Sequence, residues 1–369
     1  FINTYLNSRD IVVNSREGLQ IAQKLYEFFK AFSKTNLQEV LLFLESGIEF
    51  TKENLESFNK LFNNENAMEK VINEVNEKLG NAKATVYIPS VRTTLLNSID
   101  INTYFDKEQD ERLPEKVNFN FDIFYALKNL LTDKEKAELF KINQRYIEKK
   151  AKLTPKLLQK EFERITVELA WKSSKIEGNT YTLLDTERLL TENISAKGKT
   201  KEETNMILNH KKALDFILKI PEYYKKLSIF KIEEIHKILV DKLHVKTGLR
   251  KASVGIVGTN YKPLDNIHQI KDALQKLVDV INDTENPIEK ALLSVLMIAY
   301  IQPFEDGNKR TSRILGNALL LANDYCPLSY RSVDEVEYKK AIILFYEQNN
   351  ASYFKQLFIE QFKQAVKNF

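Results

Sequence analysis

Apolar positions follow two different rhythms along the chain. Within roughly the first hundred residues, short apolar runs have strand-like spacing: Ile11-Val12-Val13, Glu39 to Leu44 (EVLLFL) and Thr85 to Ile88 (TVYI). The first two are followed by helical patterns, Leu19 to Phe32 and Thr51 to Phe62. Such alternation predicts a small α/β domain over 1–106. The polar stretch Asp106 to Pro114 (DKEQDERLP) predicts a linker over 107–119. From Asp122 onward the spacing is almost continuously helical. Thr132 before Asp133-Lys134-Glu135, and Thr154 before Pro155, have the form of helix N-caps. Later helices are predicted over Asn266 to Asn282, Asn286 to Tyr300, Asn308 to Ala322 and Ser332 to Asn349. The apolar run Ala291 to Ile301 (ALLSVLMIAYI) is too short for a bilayer, which needs about 20 residues. It predicts a helix buried on all sides. One island interrupts the helices, Ser253 to Leu264 (SVGIVGTNYKPL), whose β-branched residues around Gly258 predict a β-hairpin. No repeat of fixed period is present.

Composition narrows the chemistry. The 369 residues include only 10 glycines and 8 prolines, which fits a mainly α protein. Four histidines and one cysteine, Cys326, provide neither a disulfide framework nor a zinc finger. A lone thiol suits a reducing cytoplasm, and nothing in the chain suggests export. The 55 basic and 51 acidic residues leave a net charge of +4 with the signs mixed, so neither nucleic acid nor a membrane is indicated as a partner.

The segment Ile301 to Arg313 (IQPFEDGNKRTSR) is polar although it joins two strongly apolar helices. Gly307 permits a backbone turn, and Asn308 is a good N-cap for the helix that follows. Free N–H groups at that helix start form an anion site, strengthened by the macrodipole. Arg310 and Arg313 lie three apart on one helix face, where both can reach phosphate oxygens. Asp306 supplies a hard oxygen suited to Mg²⁺ bridging phosphates, and Phe304 is the candidate buried anchor. Residue by residue this is also what an ordinary interhelical turn looks like. Basic residues in a first helical turn oppose the macrodipole, however, and two together call for an anionic partner.

These residues resemble the Fic motif, His-x-Phe-x-(Asp/Glu)-Gly-Asn-Gly-Arg-x-x-Arg, of protein AMP-transferases. Phe304, Asp306, Gly307, Asn308, Arg310 and Arg313 fall on motif positions. Ile232 to Leu239 resembles the family's first core helix, and Gly248-Leu249-Arg250 with Val254 to Pro263 its segment into the flap hairpin. The resemblance runs from about Leu227 to Asn349. It implies an all-helical Fic core with a β-hairpin flap over 227–369, binding ATP with Mg²⁺ and transferring AMP to a hydroxyl of a target protein. Gly307, Asn308, Lys309, Arg310 and Arg313 would bind nucleotide and Asp306 the metal. Two departures stand out. Gln302 occupies the position of the family's general-base histidine, and a glutamine amide has no useful basicity. Lys309 replaces the second glycine, which is similar to the Doc branch. The chemistry therefore stays open between an AMP-transferase inactivated at Gln302, by nature or by design, and a non-catalytic nucleotide- or protein-binding regulator.

Upstream, Ser173 to Gly178 (SSKIEG) resembles the family's inhibitory motif, (Ser/Thr)-x-x-x-Glu-(Gly/Asn), within a helical region over 120–226. Ser173 and Glu177 share one helix face, and Gly178 has the form of a left-handed C-cap. The same residues also fit an unremarkable helix end. The resemblance implies that Glu177 pairs with Arg313 and blocks the γ-phosphate position. It also implies that the flap aligns a target segment by strand addition, with Val254, Ile256 and Tyr261 as candidate contacts. The N-terminal domain shares a short resemblance with STAS-like regulatory domains through Ser46-Gly47-Ile48-Glu49-Phe50. A homodimer is left open.

Overall fold

In the computed structural model the chain divides into two units, Phe1–Tyr87 and Ile88–Phe369. The structure describes residues 91–369, all within the second. The expected strands and helices before residue 91, and the STAS-like segment, lie outside the described residues.

Residues 91–106 were expected to close the α/β domain, and they group instead with the larger unit. They form two short helices, α1 (Val91–Leu96) and α2 (Ile101–Phe105). Ala351 N donates to Leu95 O, and Asn350 Nδ2 donates to Thr94 O and Asn97 O. The stretch 107–119, expected as a linker, is likewise held inward. Its Arg112 is buried and ion-paired with Glu347 at 3.0 Å. Charge in this stretch marked a buried anchor as well as solvated surface.

The remaining helices are α3 (Ile123–Ala126), α4 (Asp133–Lys152), α5 (Pro155–Ile176), α6 (Leu183–Glu192), α7 (Lys201–Lys219), α8 (Ile229–Leu239), α9 (Ile267–Asp283), α10 (Pro287–Ile301), α11 (Asn308–Leu321), α12 (Glu335–Gln348) and α13 (Ser352–Asn368). Most starts are written locally. Thr132 with Glu135, Thr182 with Asp185 and Thr200 with Glu203 form reciprocal capping boxes. Thr154 and Asn286 cap helices that begin with proline. Among the described residues the fold is mainly α.

Helix α10 is the central rod: every residue from Ala291 to Ile301 is buried, as its apolar run, interrupted by Ser294 alone, predicts. It packs most closely on α11, where a Cβ at Gly316 would come within 3.1 Å of Val295 and 3.5 Å of the Ala291 carbonyl. The loop between these two helices is thereby held between two closely packed rods.

The expected hairpin is absent: no β-ladder forms among the described residues. Residues 253–264 run as an extended arm with a turn at Val257-Gly258, and a single parallel bridge joins Lys262 to Asn118. The arm's polar groups find partners outside it. Arg250 Nη1 and Nη2 hold Ala252 O and Leu264 O at its two ends, and Lys262 N donates to Val117 O at 2.7 Å. These bonds take the place of cross-arm pairing.

Candidate active site

The α10–α11 loop is stapled by its own side chains. Gln302 ends α10 in the left-handed conformation, φ 51°. Phe304 is fully buried and stacks on the His236 ring, centroids 3.7 Å apart and planes 7° from parallel. His236 Nε2 donates to Asp306 O at 3.0 Å. Asn308, expected as the N-cap, is instead the first helical residue, and Gly307 (φ 81°) occupies the cap position. The Asn308 amide works backwards along the loop. Its Oδ1 accepts from Phe304 N, and its Nδ2 donates to Phe304 O and Gln302 Oε1, each at 2.9 Å. A Cβ at Gly307 would press on Val240 at 3.2 Å, so glycine is required both for φ and for space.

With no side-chain cap, the backbone N–H groups of Asn308, Lys309 and Arg310 have no acceptor among the described residues. They are the free donors that an anion at a helix N-terminus uses. Arg310 is 2% exposed; its Nη2 pairs with Asp306 Oδ2 at 2.6 Å, while its buried Nη1 has no partner. Asp306 is itself largely exposed.

Arg313 is fully buried behind Glu177 and does not reach the cleft surface. Its Nη2 donates to Glu177 Oε1 at 2.8 Å and to Ser173 O at 2.9 Å, and its Nε donates to Ser173 Oγ at 2.8 Å. Nη1 is again buried without a partner. The second Glu177 oxygen accepts from Lys309 Nζ at 3.2 Å. Burial alone would raise the Glu177 carboxyl, but the Arg313 and then the Lys309 charge overcome this and hold it at about 2. Gly178 follows in the left-handed conformation, φ 94°.

His210 completes this cluster. Its Nδ1 faces Met206 O at 2.8 Å and therefore carries the proton, which leaves Nε2 to accept from Ser173 Oγ at 2.8 Å. Burial pushes its pKa down to about 3, so the ring is neutral. Neither His210 nor the Lys309–Glu177 pair had a signal in the sequence. Opposite charges at a cleft suggest pairing only once two helices distant in sequence are brought together.

The position expected to hold a general base lies on the cleft floor with its side chain already engaged. Gln302 is 7% exposed; its Nε2 donates to Ala299 O at 2.6 Å and its Oε1 is taken by Asn308. His236 and His210 lie beside the cleft without lining it, and no histidine is among its lining residues.

The cleft has a volume of about 370 Å³, within the usual range for small-molecule sites. Glu177 and Gly178 form one edge, the loop from Gln302 to Arg310 forms the floor, and Tyr338 to Tyr346 of α12 form a wall. Val254 to Val257 of the arm face them. The expected flap contacts divide. Val254 and Ile256 reach the cleft, whereas Tyr261 is buried, stacked between Tyr300 and Tyr346, with its hydroxyl donated to Tyr300 O. Tyr261 is thus a core anchor for the arm and not a docking contact. Val257, which the pattern did not single out, is 98% exposed.

A profile of the Fic/DOC family matches residues 226–320. Protein adenylyltransferase Fic of Nematostella vectensis is 30% identical over 175 residues, which are 45% of this chain and 40% of that protein. Protein adenylyltransferase fic-1 of Caenorhabditis elegans is 30% identical over 168 residues, 44% of this chain and 33% of that protein. The matched region thus spans well under half the length of these relatives. Among solved structures, C. elegans Fic-1 superposes with a TM-score of 0.53 at 20% identity, covering 64% of this chain and 70% of that one. A Fic domain containing signaling protein from Bacteroides thetaiotaomicron gives 0.52 at 21% identity, covering 63% and 93%. From the stapled loop, the arginines behind it and these matches, the chain carries a Fic domain of the Fic/DOC family.

Proposed function

We propose that the cleft binds Mg-ATP and that the reaction built into it is transfer of AMP to a Ser, Thr or Tyr hydroxyl of a target protein, held off by Glu177 and impaired by Gln302. The observation that carries this reading is the pair of buried, unpartnered guanidinium nitrogens, Arg310 Nη1 and Arg313 Nη1, beside a helix start with three free N–H groups. Buried donors without acceptors are costly, and phosphate oxygens are the acceptors that suit them. Relatives named as protein adenylyltransferases support AMP as the transferred group.

Each residue then has a part. The α11 N-terminus and Arg310 hold phosphate oxygens and offset charge that develops on them. Arg313 joins them only when Glu177 leaves. Asp306 fits a single metal ligand: its carboxylate is exposed, and Mg²⁺ is commonly held by one or two carboxylates with nucleotide phosphates. Among the described residues no larger cage of acidic or histidine groups exists. Magnesium, when bound, would neutralise phosphate charge. The arm's free backbone over Val254–Val257 offers an edge for a target strand. The Gln302 amide has no useful basicity, and its oxygen already accepts from Asn308, so the target hydroxyl has no base to receive its proton. We assign the chain to the cytoplasm on its lone thiol; no described helix is long and apolar enough to cross a membrane.

Binding can be tested apart from transfer. Titration with a fluorescent ATP analogue and Mg²⁺ is expected to show weak binding by the chain as written. Glu177→Gly should tighten it about tenfold or more, because a closed state no longer competes. Adding Arg310→Leu should abolish the gain. If folded Glu177→Gly protein binds no nucleotide, the reading is wrong.

The clasp also has a definite pH behaviour. A carboxyl held at about 2 stays charged above its ordinary value, and its ion pairs weaken only as pH falls through about 2. His210, lowered to about 3, is neutral at any pH well above that value. The ratio of nucleotide affinities between Glu177→Gln and the unmodified chain is therefore expected to be flat from pH 5.5 to 8. A ratio that collapses towards unity at the acid end would show that the clasp titrates.

A further inference from the structure

The two walls of the cleft belong to different parts of the chain, the arm on one side and α12 on the other. The arm's two limbs differ sharply. Among the described residues, the backbone groups of Val254 to Val257 make no hydrogen bond within the protein. The returning limb is gripped at every second residue from one side. Gly258 O accepts from Arg112 Nη2 at 2.6 Å, Asn260 exchanges hydrogen bonds with Gln109 at 3.0 and 3.1 Å, and Lys262 N donates to Val117 O. All the gripping residues lie in 109–117, far outside the family-matched region 226–320.

Arg112 grips the arm and also holds the opposite wall through its side chain, where the same segment adds backbone ties: Glu115 N donates to Glu347 O at 2.8 Å and Leu113 O accepts from Gln348 Nε2 at 2.9 Å. Its Nε donates to Glu347 Oε2 at 3.0 Å and its Nη2 approaches Glu347 Oε1 at 3.4 Å. Glu347 is 1% exposed, adjoins the cleft-lining Tyr346 on α12, and accepts from Tyr104 at 2.7 Å through the same Oε2. One planar guanidinium thus joins a carbonyl of the arm to a carboxylate of α12. Its remaining nitrogen donates to Lys107 O at 3.3 Å, within its own segment. The fork geometry of arginine is what allows several acceptors at fixed angles; a lysine point charge does not reproduce it.

We infer that Arg112 is a positioning residue that, together with the Tyr261 ring stacked on Tyr346, sets the separation of the arm from α12 and keeps the Val254–Val257 edge presented to the cleft. It touches neither nucleotide nor target. The segment 109–117 is then the means by which chain outside the Fic domain governs the docking edge. The functional weight of this edge rests on the strand-addition reading above, whereas the bracing itself does not.

The test is amide hydrogen exchange on the full chain, followed together with fluorescent ATP binding by Glu177→Gly protein. Arg112→Ala leaves Glu347 buried and unpaired and could unfold locally. The informative variants are therefore Arg112→Lys and the pair Arg112→Met with Glu347→Gln, each checked for a cooperative thermal transition. Within 254–262 the hydrogen-bonded amides are Tyr261 and Lys262, and their exchange is expected to rise about tenfold in both variants as the brace on the returning limb is lost. Exchange in α10 and affinity for the ATP analogue should stay within about twofold of the parent. Exchange that is unchanged over 254–262, or that rises equally in α10, would overturn the inference. A selective rise in a protein that binds no nucleotide would uphold the brace while sinking the proposed function, so the two failures are distinguishable.

Discussion

Restoring histidine at position 302 while removing Glu177 is expected to raise incorporation of label from α-phosphate-labelled ATP into protein by about 10²–10⁴ over the chain as written, the usual worth of a positioned general base. The site can take the exchange. Residue 302 sits at φ 51°, a left-handed conformation in which histidine is enriched relative to most side chains. The Gln302–Asn308 bond is lost, yet Asn308 remains tied to Phe304 through both its amide atoms. Gln302→His alone should gain less, because Glu177 still occupies Arg313. Glu177→Gly alone should bind nucleotide and transfer little. The measurement is label incorporation when each variant is incubated with a cell extract, beside the unmodified chain. Strong transfer by the unmodified chain would show that Gln302 does not remove the base. Tight ATP binding without transfer by the double variant would favour the non-catalytic regulator.

Legibility from sequence followed the range over which each interaction acts. Loop and helix ends are decided locally: Gly307, the capping threonines and the apolar run of α10 carry their meaning within a few residues. Arg310 and Arg313 were visible as cations within two turns of a helix start, where an anion is the natural partner. The errors come from the same local logic. Asn308 has an N-cap's chemistry, but its amide finds nearer partners behind it, and Gly307 takes the cap. Ser253 to Leu264 has a hairpin's composition, yet Arg250, Arg112 and Val117 satisfy its polar groups from outside, and Tyr261 turns inward onto Tyr300 and Tyr346. Lys309 read as a departure from a motif and as a nucleotide contact, and not as the partner of Glu177, because the two lie 132 residues apart. Arg112 was hidden for the converse reason, as a buried anchor inside a run that looks like solvated linker.

Removing the Arg313 guanidinium is the substitution expected to cost the fold most at this site, and its size can be bounded. Breaking one side of a buried ion pair typically costs about 3–5 kcal/mol, largely because the remaining charge is stranded. Here Glu177 would keep Lys309 at 3.2 Å and is 17% exposed, so water and a second cation reduce that penalty. Against this, Arg313 also donates twice to Ser173, and its loss leaves the Ser173 carbonyl short of a partner in a fully buried site, while the hydroxyl keeps only His210. Arg313→Met is therefore expected to destabilise the protein by about 2–4 kcal/mol, read from the denaturant midpoint. Glu177→Gln should cost about 1–2 kcal/mol, since the amide still accepts one hydrogen bond. The double variant should be more stable than the sum of the two by about 1 kcal/mol or more, the coupling expected of groups in direct contact. Strict additivity would mean that Glu177 rests on Lys309 rather than Arg313, and the clasp would then be a contact between α5 and the exposed edge of the loop alone. Sub-additive loss, together with nucleotide binding that requires Arg313 only after Glu177 is removed, would establish that one guanidinium serves the fold in the closed state and the phosphate in the open one.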